Sequence, residues 1–236
     1  MDEAAAAKLA LGAIWFVAFL FSTTLHEAAH AFAALRLGDP TAYHGGQVTL
    51  NPLPHVRREP FGMVLVPILS FALAGWMFGW ASAPYDPNWA HRHPRRAGLM
   101  ALAGPLANLL IVLVSGLALR IGLATGGFVP ASREGLDLAH VVAAPAGGAV
   151  EGLATLLSVL FTLNLILFLF NLFPLPPMDG SGVLQIFLPE AASRRFLELT
   201  RHPVLSLVGI VVAWRVFPFV FFPAFVAALT LLYAGS

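Results

Sequence analysis

The chain has 236 residues, of which 58% are hydrophobic and only 11% charged, and its mean hydropathy is +0.82. Soluble domains carry about 25% charged residues, so a soluble globular protein, a disordered chain and a coiled coil are all excluded. A net charge of +1, from 13 Lys and Arg against 12 Asp and Glu, gives no basic field for nucleic acid, and the lack of cysteine removes disulfides, zinc ribbons and thiolate nucleophiles. What remains is an all-α polytopic membrane protein with the lipid bilayer as its solvent. The 18 prolines and 21 glycines predict that some of its helices are broken.

About 20 apolar residues are needed to cross the hydrocarbon core as a helix. The first such stretch is Leu9–Leu37, interrupted only by Ser22-Thr23-Thr24, His26-Glu27, His30 and Arg36. Asp2 and Glu3 precede it where a secretory signal wants a basic start, so it reads as a retained helix. Further stretches are Phe61–Ala83, Ala97–Leu123, Leu153–Phe173 and Val204–Tyr233. Pro67, Gly75 and Gly79 predict that Phe61–Ala83 is bent or re-entrant. Gly45–Pro54 alternates polar and apolar residues between turn formers, the pattern of a short interfacial strand in a hairpin-like loop. Three prolines in Phe173–Gly180 forbid a continuous helix, so 153–188 is expected to be one membrane element with an unwound middle, lined by protein or a water-filled cavity. Arg215, Pro218 and Pro223 predict that the last stretch is split into a tight helical hairpin over 203–235. The count is five to six transmembrane or re-entrant helices in a single membrane-embedded domain, with its core at about residues 9–190.

The strongest chemical signal is His26-Glu27-Ala28-Ala29-His30. On a helix, positions i and i+4 share a face, so both imidazoles can grip one metal ion while the intervening carboxylate takes a proton from an activated water. Imidazole nitrogen suits zinc, and a catalytic zinc normally has three protein ligands. One charged group inside an apolar span costs roughly 2.5–3.5 kcal/mol on insertion scales, so three ionisable groups in five residues demand a function. Intramembrane carboxylates are scarce: Glu151 begins a helix, Glu190 and Glu198 lie in a polar connection, and Asp137 lies in a loop. Asp179 lies in the proline-broken element and is the candidate third ligand.

With these residues in hand, the chain resembles the site-2 protease family of intramembrane zinc metalloproteases. The resemblance rests on His26–His30, on Gly104-Pro105-Leu106-Ala107-Asn108, and on Phe170-Asn171-Leu172-Phe173-Pro174 leading into Pro177-Met178-Asp179-Gly180. Met178 replaces the family's Asn or Leu before Asp-Gly and leaves the aspartate in place. The short bacterial and archaeal type, without a PDZ or CBS-type domain, is the branch it is similar to. The resemblance implies one zinc ion per chain, held by His26, His30 and Asp179, with Glu27 as general base and a transmembrane protein as substrate. It places Asn108 near the site, with its amide on the oxyanion or the substrate backbone. It also implies a multi-pass protein of the cell membrane that hydrolyses a peptide bond in or near a transmembrane segment. Asn164 and Asn171, seven apart on one helical face, are expected to bond between helices, the first structurally and the second in support of the site. The remaining histidines, His44, His55, His91, His93, His140 and His202, read as interfacial.

The main alternative is a metal transporter of the ZIP type, which also carries a His-Glu-x-x-His on a membrane helix. Transport wants a second metal-binding helix, and Ala97–Leu123 offers only Asn108. Topology is readable through charge. If Phe61–Ala83 returns to its own side, Arg36, Arg57, Arg58, Arg92, Arg95, Arg96, Arg194, Arg195 and Arg201 share one face, against Lys8, Arg120 and Arg133 on the other. Simple alternation of spans leaves a weaker bias, and cytoplasmic loops carry the excess of Lys and Arg.

Overall fold

The computed structural model describes residues 2–132, 134–200 and 202–234; Arg133 and Arg201 of the charge count lie outside the described residues. Helix α1 (Glu3–Leu37) opens with the Asp2 carboxylate accepting from the Ala5 N–H at 2.7 Å and closes at Gly38. Its 35 residues reach about 52 Å at 1.5 Å per residue, more than a bilayer core needs. One face of its C-terminal half, from Trp15 to Ala34, is buried by the rest of the fold.

Beyond it lie two short helices, α2 (Thr41–His44) and α3 (Pro52–Arg58). The strand expected over Gly45–Pro54 does not form. Asn51 instead caps α3 by accepting from the Leu53 N–H at 3.0 Å, and Pro52 occupies the first turn, where a missing N–H is harmless. A proline pair that nucleates a helix outweighs the alternation that suggested a strand.

Phe61–Ala83 folds back on itself instead of forming one long helix. A π-helical turn (Phe61–Leu65) runs into α4 (Val66–Ala74), 14 residues in all, which span about 21 Å against the ~30 Å of hydrocarbon. Gly75, at φ 77°, ends the helix in a backbone conformation that disfavours a side chain. The chain then folds back along itself: the Phe78 N–H donates to Ser70 Oγ (3.1 Å) and the Trp80 N–H to the Gly62 carbonyl (3.2 Å). Ser82 Oγ donates to Glu59 Oε1 at 2.6 Å. Residues 59 and 82 are therefore neighbours, and both ends of the segment lie together at one end of the bundle. Phe71 and Met77 pack it onto Trp15 and Phe19 of α1.

Next come α5 (Pro87–Arg92) and the long α6 (Pro94–Ala124). The buried Asp39 carboxylate ties this turn to the end of α1, accepting from the N–H of Thr41 and the N–H of Asp86. Helix α6 runs antiparallel to α1, since His30 meets Met100 and His26 meets Asn108. In the following connection two residues of β1 (Val129–Pro130) pair antiparallel with β2 (Val142–Ala143). This is where the small hairpin-like element lies, at the end of the molecule opposite to Gly45–Pro54. Helix α7 (Gly148–Asn171) runs parallel to α1, with Asn164 against Ser22.

After α7 the backbone is non-helical through the prolines and resumes as α8 (Asp179–Val183), a 3-10 turn (Leu184–Ile186) and the amphipathic α9 (Glu190–Thr200). The unwound middle is thus present. Helix α10 (Pro203–Tyr233) is continuous, which corrects the expected hairpin over 203–235. Phe217, Phe221 and Phe225 lie one turn apart, stack on one another at 5.5 and 5.4 Å, and meet Phe170 of α7 at 5.3 Å. Breaking the helix at Pro218 or Pro223 would dismantle that column, and a membrane helix tolerates the lost N–H groups. Among the described residues four helices, α1, α6, α7 and α10, are long and apolar enough to cross a membrane. With the folded-back segment they make an all-α polytopic fold, and the main core lies where α6, α7 and α10 meet.

Candidate active site

The site lies where α1, α6, α7 and α8 converge. His26, Glu27 and His30 occupy adjoining positions on the buried face of α1, with 7, 6 and 5% of their surfaces exposed. The proline break lets the chain turn after α7 and present Asp179 at the first residue of α8, while Gly98, Ala101 and Gly182 keep the α6–α8 contact close enough for it to reach α1. His26 Nε2 stands 3.1 Å from Asp179 Oδ2, His30 Nε2 3.3 Å from the same oxygen, and the two Nε2 atoms 3.0 Å apart. Among the described residues this is the one group of three His, Asp or Glu side chains whose ligand atoms come close enough to share a metal ion.

Zinc fits this donor set. Three ligands at about 2.0–2.1 Å from a tetrahedral ion lie about 3.3 Å from one another, close to the spacings found. Both outer imidazole nitrogens are occupied: His30 Nδ1 donates to the Met100 carbonyl at 2.8 Å, and His26 Nδ1 lies 2.5 Å from Asn108 Oδ1. Such outer partners orient the imidazoles of metal sites. Gly104 supplies the room. A β-carbon there would collide with the Nε2 atoms of both histidines, so the Gly-Pro sequence on α6 leaves a hollow that a methyl group would fill.

Glu27 makes no hydrogen bond among the described residues, although it is buried next to His26. Its carboxylate is therefore an uncommitted acceptor beside the donor set. Asn108 is placed differently from the expectation of an amide facing substrate. It has no exposed surface; its oxygen faces His26, and its Nδ2 donates to Asn164 Oδ1 at 2.8 Å. Asn164 in turn donates to Ser22 Oγ at 2.8 Å, so the expected bond between helices is present and reaches the site through Asn108. Asn171 makes no side-chain hydrogen bond among the described residues. Ser22 and the Met100 carbonyl were not legible as site groups, although Ser22 stands four residues before His26 and hence on its face.

The rival carboxylates are engaged elsewhere or distant. Glu190 pairs with Arg194, Glu198 lies 3.7 Å from His91, and Asp137 holds His140 at the opposite end of the molecule. Of the other histidines, His55 is buried rather than interfacial, with Nε2 on the Thr49 carbonyl, and none of them joins the cluster.

The profile of peptidase family M50 matches residues 14–216. The chain belongs to peptidase family M50. This M50 protein is a metalloprotease of the site-2 type, and the match covers every residue of the site just described. Among individual relatives, it is 34% identical over 200 residues to YwhC of Bacillus subtilis, covering 84% of this chain and 80% of that one. It is 31% identical over 194 residues to Rip2 of Mycolicibacterium smegmatis, covering 82% and 64% of the two chains. It is 28% identical over 195 residues to Rip2 of Mycobacterium tuberculosis, covering 83% and 65%. All three carry zinc-metalloprotease names, and the M50 chain spans just under two thirds of the length of the Rip2 proteins. No solved structure gives a significant match to it.

Proposed function

We propose that the M50 chain hydrolyses a peptide bond within or next to a transmembrane segment of a membrane-protein substrate, with His26, His30 and Asp179 holding its zinc ion. The observation that carries this reading is the convergence of three ligand atoms, 3.0–3.3 Å apart, on the buried face of a membrane-crossing helix. When bound, zinc polarises a carbonyl and lowers the pKa of water toward ~7. Glu27 accepts the proton of the attacking water and returns it to the leaving amine; with no hydrogen bond among the described residues, both its oxygens are free for that work. The substrate helix unwinds locally before attack, because its own hydrogen bonds shield the scissile bond. Asn108 acts on His26 and does not touch the substrate.

The charges orient the protein. Arg36, Arg57, Arg58, Arg92, Arg95, Arg96, Arg194 and Arg195 lie at the end of the bundle where α1 and α7 finish, and Lys8 and Arg120 lie toward the other. By the excess of Lys and Arg in cytoplasmic loops, the end of the bundle nearer the site faces the cytoplasm at a plasma membrane. His26, eleven residues before Leu37, then sits about 16 Å below the end of its helix. Cysteines placed singly at Arg57 and Arg92 are expected to react with an impermeant thiol reagent from the same face of sealed vesicles. Reaction from opposite faces would reject this topology.

The function itself is tested by incubating the purified protein with a synthetic transmembrane peptide in detergent. Cleavage that stops on zinc chelation and returns with zinc is the expected result. Zinc or iron flux into liposomes without peptide cleavage would replace this reading by the transporter one.

A further inference from the structure

The interhelical bonds behind His26 have a direction, and a backbone atom sets it. Asn164 Nδ2 lies 2.7 Å from the Leu160 carbonyl, which can only accept, and 2.8 Å from Ser22 Oγ. Both hydrogens of that amide are thereby spent, which identifies the nitrogen whatever the ambiguity between amide N and O. Asn164 Oδ1 must then be an acceptor, and the group 2.8 Å from it is Asn108 Nδ2. With its nitrogen turned toward Asn164, Asn108 presents its oxygen to His26 Nδ1 at 2.5 Å. An oxygen facing that nitrogen requires Nδ1 to carry a proton, which in a neutral imidazole leaves the Nε2 lone pair for a metal.

We infer that Asn164, which touches neither zinc nor substrate, is a positioning residue: through Asn108 it selects the tautomer in which His26 can ligate metal. This rests on the reading of His26 as a zinc ligand. Ser22, Asn108 and Asn164 are all without exposed surface, so no water competes for these bonds, and α1, α6 and α7 each contribute a member. His30 needs no such relay, because the Met100 carbonyl fixes its Nδ1 proton directly. The two histidines of one motif are thus oriented by different means. Without Asn164, nothing stops the Asn108 amide from turning over; its NH2 would then face His26 Nδ1 and draw the proton to Nε2, against the metal.

The test measures the proton and the metal separately. In metal-free protein carrying Asp179→Ala and His30→Ala, which clear the carboxylate and the imidazole facing His26 Nε2, 15N-histidine labelling and two-bond 1H–15N spectra report the His26 tautomer, assigned by loss of its signals in His26→Ala. This background should show the Nδ1–H form. Asn164→Leu added to that background should populate the Nε2–H form, and in the otherwise unaltered protein it should weaken zinc binding, measured by chelator competition, by about 10–100-fold, the usual cost of losing such an outer partner. Asn108→Asp, which keeps an acceptor facing His26, should hold the Nδ1–H form and bind zinc far more tightly than Asn108→Leu. An Nε2–H signal in the Asp179→Ala, His30→Ala background overturns the inference. So does an Asn164→Leu protein that loses thermal stability yet keeps the Nδ1–H form and the parent's zinc affinity. If His26→Ala still binds zinc like the parent, the ligand assignment itself has failed; if it loses zinc while Asn164→Leu does not, only the relay has.

Discussion

Glu27→Gln is expected to abolish cleavage of a transmembrane peptide while zinc content stays near one ion per chain. The substitution keeps the size and burial of a side chain whose exposure is 6% and removes only its ability to take a proton. General-base catalysis is worth about 100- to 10,000-fold, and no neighbouring carboxylate can substitute, since Asp179 is engaged with both histidines. Metal analysis and turnover on the same preparation decide the matter. Activity above a few per cent of the parent would remove Glu27 from the mechanism, and loss of zinc would make it a ligand instead.

Asp179→Ala should lower both zinc affinity and activity, because two histidines alone would then hold the ion. The structure sharpens the control. Glu190 lies on the exposed amphipathic α9, paired with Arg194 at 3.5 Å, and surface pairs of this kind contribute about 0–1 kcal/mol. Glu190→Ala is therefore expected to leave zinc content and turnover near the parent's. Zinc titration of both variants against a chelator separates the cases. Full zinc and full activity in the Asp179 variant would mean that another group completes the site.

These two experiments bear on side chains that sequence and structure disclose very differently. His26, Glu27 and His30 are legible at once, since a helical repeat alone places them together and three ionisable groups inside an apolar span have no bland explanation. The unwound stretch before Asp179 is equally legible, because three prolines forbid a helix whatever surrounds them. Composition by itself establishes a membrane protein and rules out nucleic-acid and thiol chemistry. Local signals misled where they were weak and tertiary contacts strong. The alternation in Gly45–Pro54 found no partner strand and gave way to a capped helix, while Pro218 and Pro223 were overruled by the phenylalanine column that α10 shares with α7.

The tertiary structure alone decided what each polar residue faces. No spacing joins Ser22, Asn108 and Asn164, which come from three helices, and no motif tells an asparagine turned toward substrate from one turned toward a histidine. Nor could composition choose between one kinked helix and a folded-back segment for Phe61–Ala83. That choice depends on whether the returning chain finds partners, and it finds them at Gly62, Ser70 and Glu59. Sequence determines which groups are present and which local conformations they permit. Hydrogen-bond direction and burial arise only when separate helices meet, because each polar group inside the bilayer takes whichever partner the neighbouring helix brings.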